Sequence, residues 1–232
     1  MRVLSPLKTE QAQRLLLFAG VSCGLCAQLS PTASIIFTIA GIWIWSRIRL
    51  YLFISDVVLR RIMRFAPFLF PIRFWGLPRL EMEWRGNLAC LICTLTIMFF
   101  SMKSYRILFS KFVLSSANRE NRRRRYSESL FYFLSSIGQE YVYRYVLILF
   151  LAEYCNLGYM AVLISSALFV IEHRIGDRGK QLFTMRNIVA WSTMGMVYGT
   201  IAFVTHTVSG PLIGHILVNL PNIVYPHLKG LK

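Results

Sequence analysis

Acidic residues are scarce in this chain of 232 residues: 10 Asp and Glu stand against 26 Lys and Arg, for a formal net charge of +16. Charge of either sign is thin as well, at 16% of residues, where an average soluble domain carries roughly a quarter. Hydrophobic residues make up 56%. Long apolar stretches with so few charges imply a bilayer as the solvent and exclude a large soluble core. The basic excess does not point to nucleic acid. Runs such as Arg122-Arg123-Arg124-Arg125 lie between apolar stretches, where juxtamembrane loops meet anionic headgroups, and no soluble binding module surrounds them. Membrane lipids are therefore the expected partner, and nucleic acid is not.

Cysteine is also sparse. Cys23 and Cys26 form one Cys-x-x-Cys, and Cys90 and Cys93 form another. Both pairs sit inside apolar runs, Leu15 to Leu29 and Leu88 to Met102, without a basic neighbour to stabilise a thiolate. There cysteine serves as a small hydrophobe, and no disulfide framework or redox centre is implied. The chain has no internal repeat and no repeated pair of broken helices, which disfavours a transporter. Arg2, Lys8 and Arg14 precede Leu15-Leu16-Leu17-Phe18 in the manner of a secretory signal. A second apolar run begins at Ile35, so an uncleaved first span is expected.

Helix-forming apolar runs appear at about 15–30, 33–46, 88–102, 141–155, 158–173, 187–205 and 211–225. Each is near or slightly below the roughly 20 residues that a span needs. Residues 50–78 hold two apolar patches interrupted by Arg60, Arg61, Arg64, Pro67 and Pro71, which read as one broken span or as interfacial segments. Basic residues crowd 47–85 and 103–125 on both sides of one span, so charge does not orient the chain. The polar stretch 115–129 reads as an exposed loop, and Trp43, Trp45, Trp75 and Trp84 as interface anchors. The fold expected is all-α, a polytopic transmembrane bundle of about seven to eight helices.

Ionisable residues inside membrane segments are costly and mark function. Three constellations stand out after residue 130: Gly138-Gln139-Glu140-Tyr141-Val142-Tyr143-Arg144, then Phe169-Val170-Ile171-Glu172-His173, then Pro211 to Asn219 with His215 and Asn219 four apart. Glu140 and Arg144, also four apart, share a helix face and can pair. Each constellation alone has a plain reading, as a neutralised pair, an interfacial histidine or an interhelical hydrogen bond. Together they supply a carboxylate, two imidazoles and an amide from three consecutive segments. A carboxylate or imidazole can take a proton from water, and an imidazole with an amide N–H can stabilise an oxyanion. His206 is expected at an interface, His227 in a solvated tail, and Glu153 at a helix end.

The order Gln139-Glu140-x-x-x-Arg144, Phe169-x-x-x-His173, His215-x-x-x-Asn219 resembles the signature of the CAAX-protease and bacteriocin-processing family of intramembrane proteases. Ser165-Ser166-Ala167-Leu168 before Phe169, Gly195 and Gly199 in the next run, and Pro211 before His215 are similar too. The resemblance covers roughly residues 130–225. It implies a helical bundle with a conical cavity open to the membrane, in which water attacks a peptide bond. It makes His173 the water-activating imidazole, His215 and Asn219 the oxyanion donors, and Arg144 the partner of Glu140. It divides the chain into N-terminal transmembrane or interfacial helices with basic loops (1–129), a protease core (130–225) and a short tail (226–232).

One position departs from the pattern. Gln139 stands where the family has its catalytic Glu, and an amide cannot accept the proton. Glu140 can take over as base, Glu172 beside His173 can supply the carboxylate, or catalysis is lost and the fold serves as a silent scaffold. Retained proteolysis is expected, with Glu140, His173, His215 and Asn219 as the catalytic set and Gln139, Arg144, Phe169 and Glu172 in support. The substrate expected is a membrane-anchored or lipidated peptide or protein, at a prokaryotic cell membrane. No cofactor is required. His173 and His215 with Glu140 or Glu172 could ligate a divalent ion on paper, but no His-Glu-x-x-His helix is present, and zinc is not proposed.

Overall fold

The computed structural model describes residues 10–48, 50–81, 83–110, 122–175 and 184–228, and every regular element among them is helical. Helix α1 (Glu10–Cys26) and α2 (Pro31–Trp45) pack on each other as a hairpin. Ser30 starts α2 by accepting the Ala33 N–H at 3.1 Å, with Pro31 following in the first turn where its missing N–H costs nothing.

Residues 50–78 hold no continuous helix. They divide into a 3₁₀ turn (Leu50–Leu52), α3 (Val57–Met63), a second 3₁₀ turn (Ala66–Leu69) and α4 (Ile72–Trp75). Asp56 caps α3 through Val58 and Leu59 N–H at 2.9 and 2.8 Å. Pro67 and Pro71 remove the donors that a continuous helix would need. Gly76, at φ 63°, ends α4 in a conformation that favours glycine.

Among the described residues, two helices are long and apolar enough to cross a membrane: α5 (Trp84–Leu108), through its segment Trp84–Met102, and α8 (Met185–Thr205). The face of α5 at Cys90, Cys93, Thr94 and Ile97 is buried, while Leu88, Leu91, Ile92, Leu95, Phe99 and Phe100 point outward. The cysteine pair thus lies on an inward stripe of small side chains; both thiols are free, as are those of Cys23 and Cys26.

Helix α6 begins at Arg122 and runs to Gln139, so residues 122–129 are helical where the sequence suggested a loop; the rest of that stretch lies outside the described residues. The chain continues without a break through a π-helical stretch (Glu140–Val146), three α-helical residues (Leu147–Leu149) and a second π stretch (Phe150–Tyr154). The apolar run at 141–155 is therefore the second half of one long rod. Helices α7 (Met160–Ile175) and α9 (Ser209–Leu228) complete the set. α9 lies against α6 and α5, α8 against α7 and α5, and α3 against α6.

Glycine sets the closest of these contacts. A Cβ on Gly195 would lie 2.9 Å from Ser166 Cβ, and one on Gly199 2.9 Å from Val162 Cγ1, so α7 and α8 meet along a small-residue seam.

Three side chains differ from expectation. Trp45 is buried and donates its indole N–H to Met63 O at 2.5 Å, and Trp75 donates to Ser34 Oγ at 3.0 Å, so both staple helices together. Trp84 is exposed. His227 is partly buried instead of lying in a free tail: it is within α9, where Ser129 donates to Ile223 O at 2.6 Å and thereby accepts from His227 Nε2 at 2.7 Å.

Candidate active site

The site starts where α6 changes pitch. Leu147 N–H reaches back five residues to Val142 O instead of four. Such wide turns are rare and occur frequently at functional sites. The Tyr143 carbonyl in this turn accepts the Ser165 hydroxyl of α7. Tyr141 and Tyr145 donate to Gly76 O and Trp75 O at 2.9 and 3.0 Å, tying the stretch to the end of α4.

Glu140 leads this stretch and is almost wholly buried. Its Oε1 lies 2.6 Å from His215 Nδ1 on α9, and its Oε2 lies 3.4 Å from Arg144 Nε. The second contact is ionic and falls outside hydrogen-bond geometry. The Arg144 guanidinium is buried too and sits 4.5 Å over the Phe169 ring. A buried cation without full hydrogen bonding is kept by such charge and quadrupole contacts together.

His173 Nδ1 lies 2.8 Å from Phe169 O. A carbonyl only accepts, so Nδ1 carries the proton and Nε2 presents a lone pair. The ring is held between Phe169, at 4.6 Å between centroids, and Trp191 of α8, at 4.5 Å. His215 obeys a different constraint. A neutral ring that donates to Glu140 from Nδ1 has a bare Nε2. To donate to an oxyanion from Nε2 it must carry both protons, with Glu140 compensating the charge.

Gln139 Nε2 donates to Glu172 Oε1 at 3.1 Å, linking the first constellation to the second. Glu172 Oε2 is closed off from solvent with no hydrogen bond. The Tyr143 hydroxyl interacts with the same carboxylate, without closing to hydrogen-bond geometry. Asn219 donates from Nδ2 to Ser136 Oγ at 3.0 Å, and Ser136 donates in turn to Tyr132 O. An amide has two N–H donors, so Asn219 keeps a second one.

Phe169 joins these parts. Its buried ring touches Tyr143, Arg144, His173 and His215, the last with centroids 5.9 Å apart. Residues from all three constellations therefore meet around one side chain. A cavity of about 220 Å³ opens beside Arg144 and is lined further by Tyr145, Glu153, Phe203 and His206; Glu172, His173, His215 and Asn219 are not among its lining residues.

Residues 129–221 match the family of type II CAAX prenyl endopeptidases, Rce1-like. Neither a curated protein nor a solved structure matches the chain.

The Rce1-like segment runs from α6 into α9 and contains every residue of the three constellations. Helices α1 to α5 lie outside it, yet α3, α5 and the Ala66–Leu69 turn pack against it. Thr94 of α5 accepts from the Tyr198 hydroxyl at 2.5 Å, and Phe68 lies against Gly138, one residue from Gln139. Three residues of this candidate site were not singled out by the sequence: Trp191 against His173, Tyr143 against Glu172, and Ser136 beneath Asn219. Trp191 carried a signal, as a tryptophan within an apolar run instead of at a basic boundary. Tyr143 and Ser136 carried none, because their partners lie on other helices. Among the described residues, no three of His, Cys, Asp and Glu come together as a metal-holding group.

Proposed function

We propose that the chain is a multi-pass intramembrane endopeptidase that hydrolyses a peptide bond of a membrane-anchored or lipidated peptide by water attack. The observation that carries this reading is the meeting of Glu140, Arg144, His173 and His215 around Phe169, with Gln139 bonded to Glu172 at the same place. These residues come from stretches separated by up to 75 positions, as Glu140 and His215 are. The Rce1-like match over the same segment supports the same chemistry.

In this reading His173 Nε2 faces the water, since Nδ1 is fixed on Phe169 O. There it accepts a hydrogen bond from the water and orients it, and removal of the water's other proton by a general base contributes about 10² to 10⁴ in rate. As the water oxygen bonds to the peptide carbonyl carbon, the carbonyl π pair moves to its oxygen. His215 and the second Asn219 N–H then stabilise that oxyanion, for which one good donor is worth about 10² to 10³. Collapse breaks the C–N bond, and the proton taken from water passes to the leaving nitrogen.

Membrane residence is supported by the exposed apolar face of α5 and by α1, where Leu15, Phe18 and Leu25 are exposed. A core helix of a soluble protein is mostly buried, whereas the apolar windows of α5 and α8 are 22% and 28% buried. Lipid is the medium that such faces require.

The test compares protein N- and C-termini in membranes of cells expressing the wild type or His173→Ala at equal levels. New termini that require His173 are expected, and they identify the substrate. Identical termini in both would favour a silent scaffold of the same fold.

A further inference from the structure

We infer that Glu172, and not Glu140, is the carboxylate that takes the proton of the attacking water, held for that purpose by Gln139. This assignment rests on the hydrolytic reading above and names the base within it. Glu140 has both oxygens occupied, Oε1 on His215 at 2.6 Å and Oε2 against Arg144 at 3.4 Å. It can orient and charge-balance His215, which makes it a positioning residue. Glu172 has one oxygen anchored, Oε1 on the Gln139 amide at 3.1 Å, while Oε2 is closed off without a hydrogen bond. A buried carboxylate oxygen left unpaired is costly; the Tyr143 hydroxyl borders the same carboxylate short of hydrogen-bond geometry, and a water molecule bound there would supply the missing donor. The next residue is His173, whose Nε2 is the unprotonated ring nitrogen.

The departure at Gln139 then has a physical reason. A glutamate there would set two carboxylates within 3.1 Å of each other across α6 and α7, and like charges so close cannot both ionise. An amide at 139 and a carboxylate at 172 form a donor–acceptor pair instead. The carboxylate has changed helices, and the amide marks where it is held. In the step itself, a proton moves from water to Glu172 as the new C–O bond forms. The same proton leaves Glu172 for the amine nitrogen as the C–N bond breaks. No oxidant, reductant or other co-reactant enters.

The experiment uses the purified full chain in proteoliposomes, given the solubilised membrane-protein fraction of cells lacking it, with new termini read by mass spectrometry. Wild type, His173→Ala, Glu172→Gln and the exchange variant Gln139→Glu/Glu172→Gln are compared, each checked for monodisperse elution and melting. Glu172→Gln should lose His173-dependent products by about 100-fold. The exchange variant, which restores one carboxylate and one amide across the same bond, should regain at least about tenfold.

Near-wild-type cleavage by folded Glu172→Gln overturns the assignment and leaves the protease reading intact. Loss in Glu172→Gln with no recovery in a folded exchange variant makes Glu172 a structural anchor and also overturns it. If Glu172→Gln does not fold, the exchange variant decides alone: active supports the assignment, and folded but inactive refutes it. Absence of any His173-dependent product from the wild type defeats both readings together.

Discussion

Glu140 is closed between an imidazole and a guanidinium, so its charge is structural as well as electrostatic. Removing one member of a buried ionic set leaves the other uncompensated, at a cost of about 3–5 kcal/mol. Glu140→Gln should therefore lower stability by about that amount, and Glu140→Gln/Arg144→Met should recover most of it, read by thermal melting in detergent. An unchanged melting temperature in the single variant would mean that the pair at 3.4 Å is energetically idle. At Gln139 the direction of an apparent repair is informative. Gln139→Glu faces Glu172 with a second carboxylate and should reduce cleavage; an increase would mean that the amide had silenced the site. Asn219→Ala should cost about 10² in turnover, as loss of one oxyanion donor does, measured as yield of His173-dependent termini. The three constellations were legible because their members lie four residues apart on one helix, a local spacing that sequence displays. The bond between Gln139 and Glu172 was not, because it joins residues 33 apart on two different helices.

At the scale of elements, the seven apolar runs all became helical, since apolar length alone dictates that. What sequence did not convey was how α6 joins the run after it. The polar stretch before residue 130 suggested a loop, yet the helix starts at Arg122 and passes through two π turns. Pitch changes of that kind depend on tertiary partners such as the Ser165 hydroxyl on Tyr143 O. Ser165→Ala leaves that buried carbonyl without its partner, which costs about 1–3 kcal/mol. The expected result is a lower melting temperature together with reduced cleavage, as the turn carrying Glu140 relaxes. Full activity in Ser165→Ala would show that the wide turn holds without it. The tryptophans taught a related lesson. Trp45 and Trp75 sit at boundaries by sequence, but their indole N–H groups are used inside the fold, and only contacts reveal that choice.

At the scale of the whole molecule, the account requires that the outward faces of α1 and α5 meet lipid. The protein should remain with membranes after alkaline carbonate extraction and leave only with detergent. Release by carbonate would remove the bilayer from the account and leave those apolar faces to another partner. The composition points the same way, through few charges and long apolar runs. Helix order and pairing were beyond it, because a bilayer makes every span apolar alike and packing is decided by small-residue seams such as Gly195 and Gly199 on Ser166 and Val162.

Everything proposed above turns on hydrolysis of a membrane peptide that depends on His173. Its most direct test is purified wild type against His173→Ala in proteoliposomes supplied with membrane proteins from cells lacking the chain. New termini are expected with the wild type and none with His173→Ala at equal folded amounts. Equal products from both proteins, or none from a folded wild type, would contradict it.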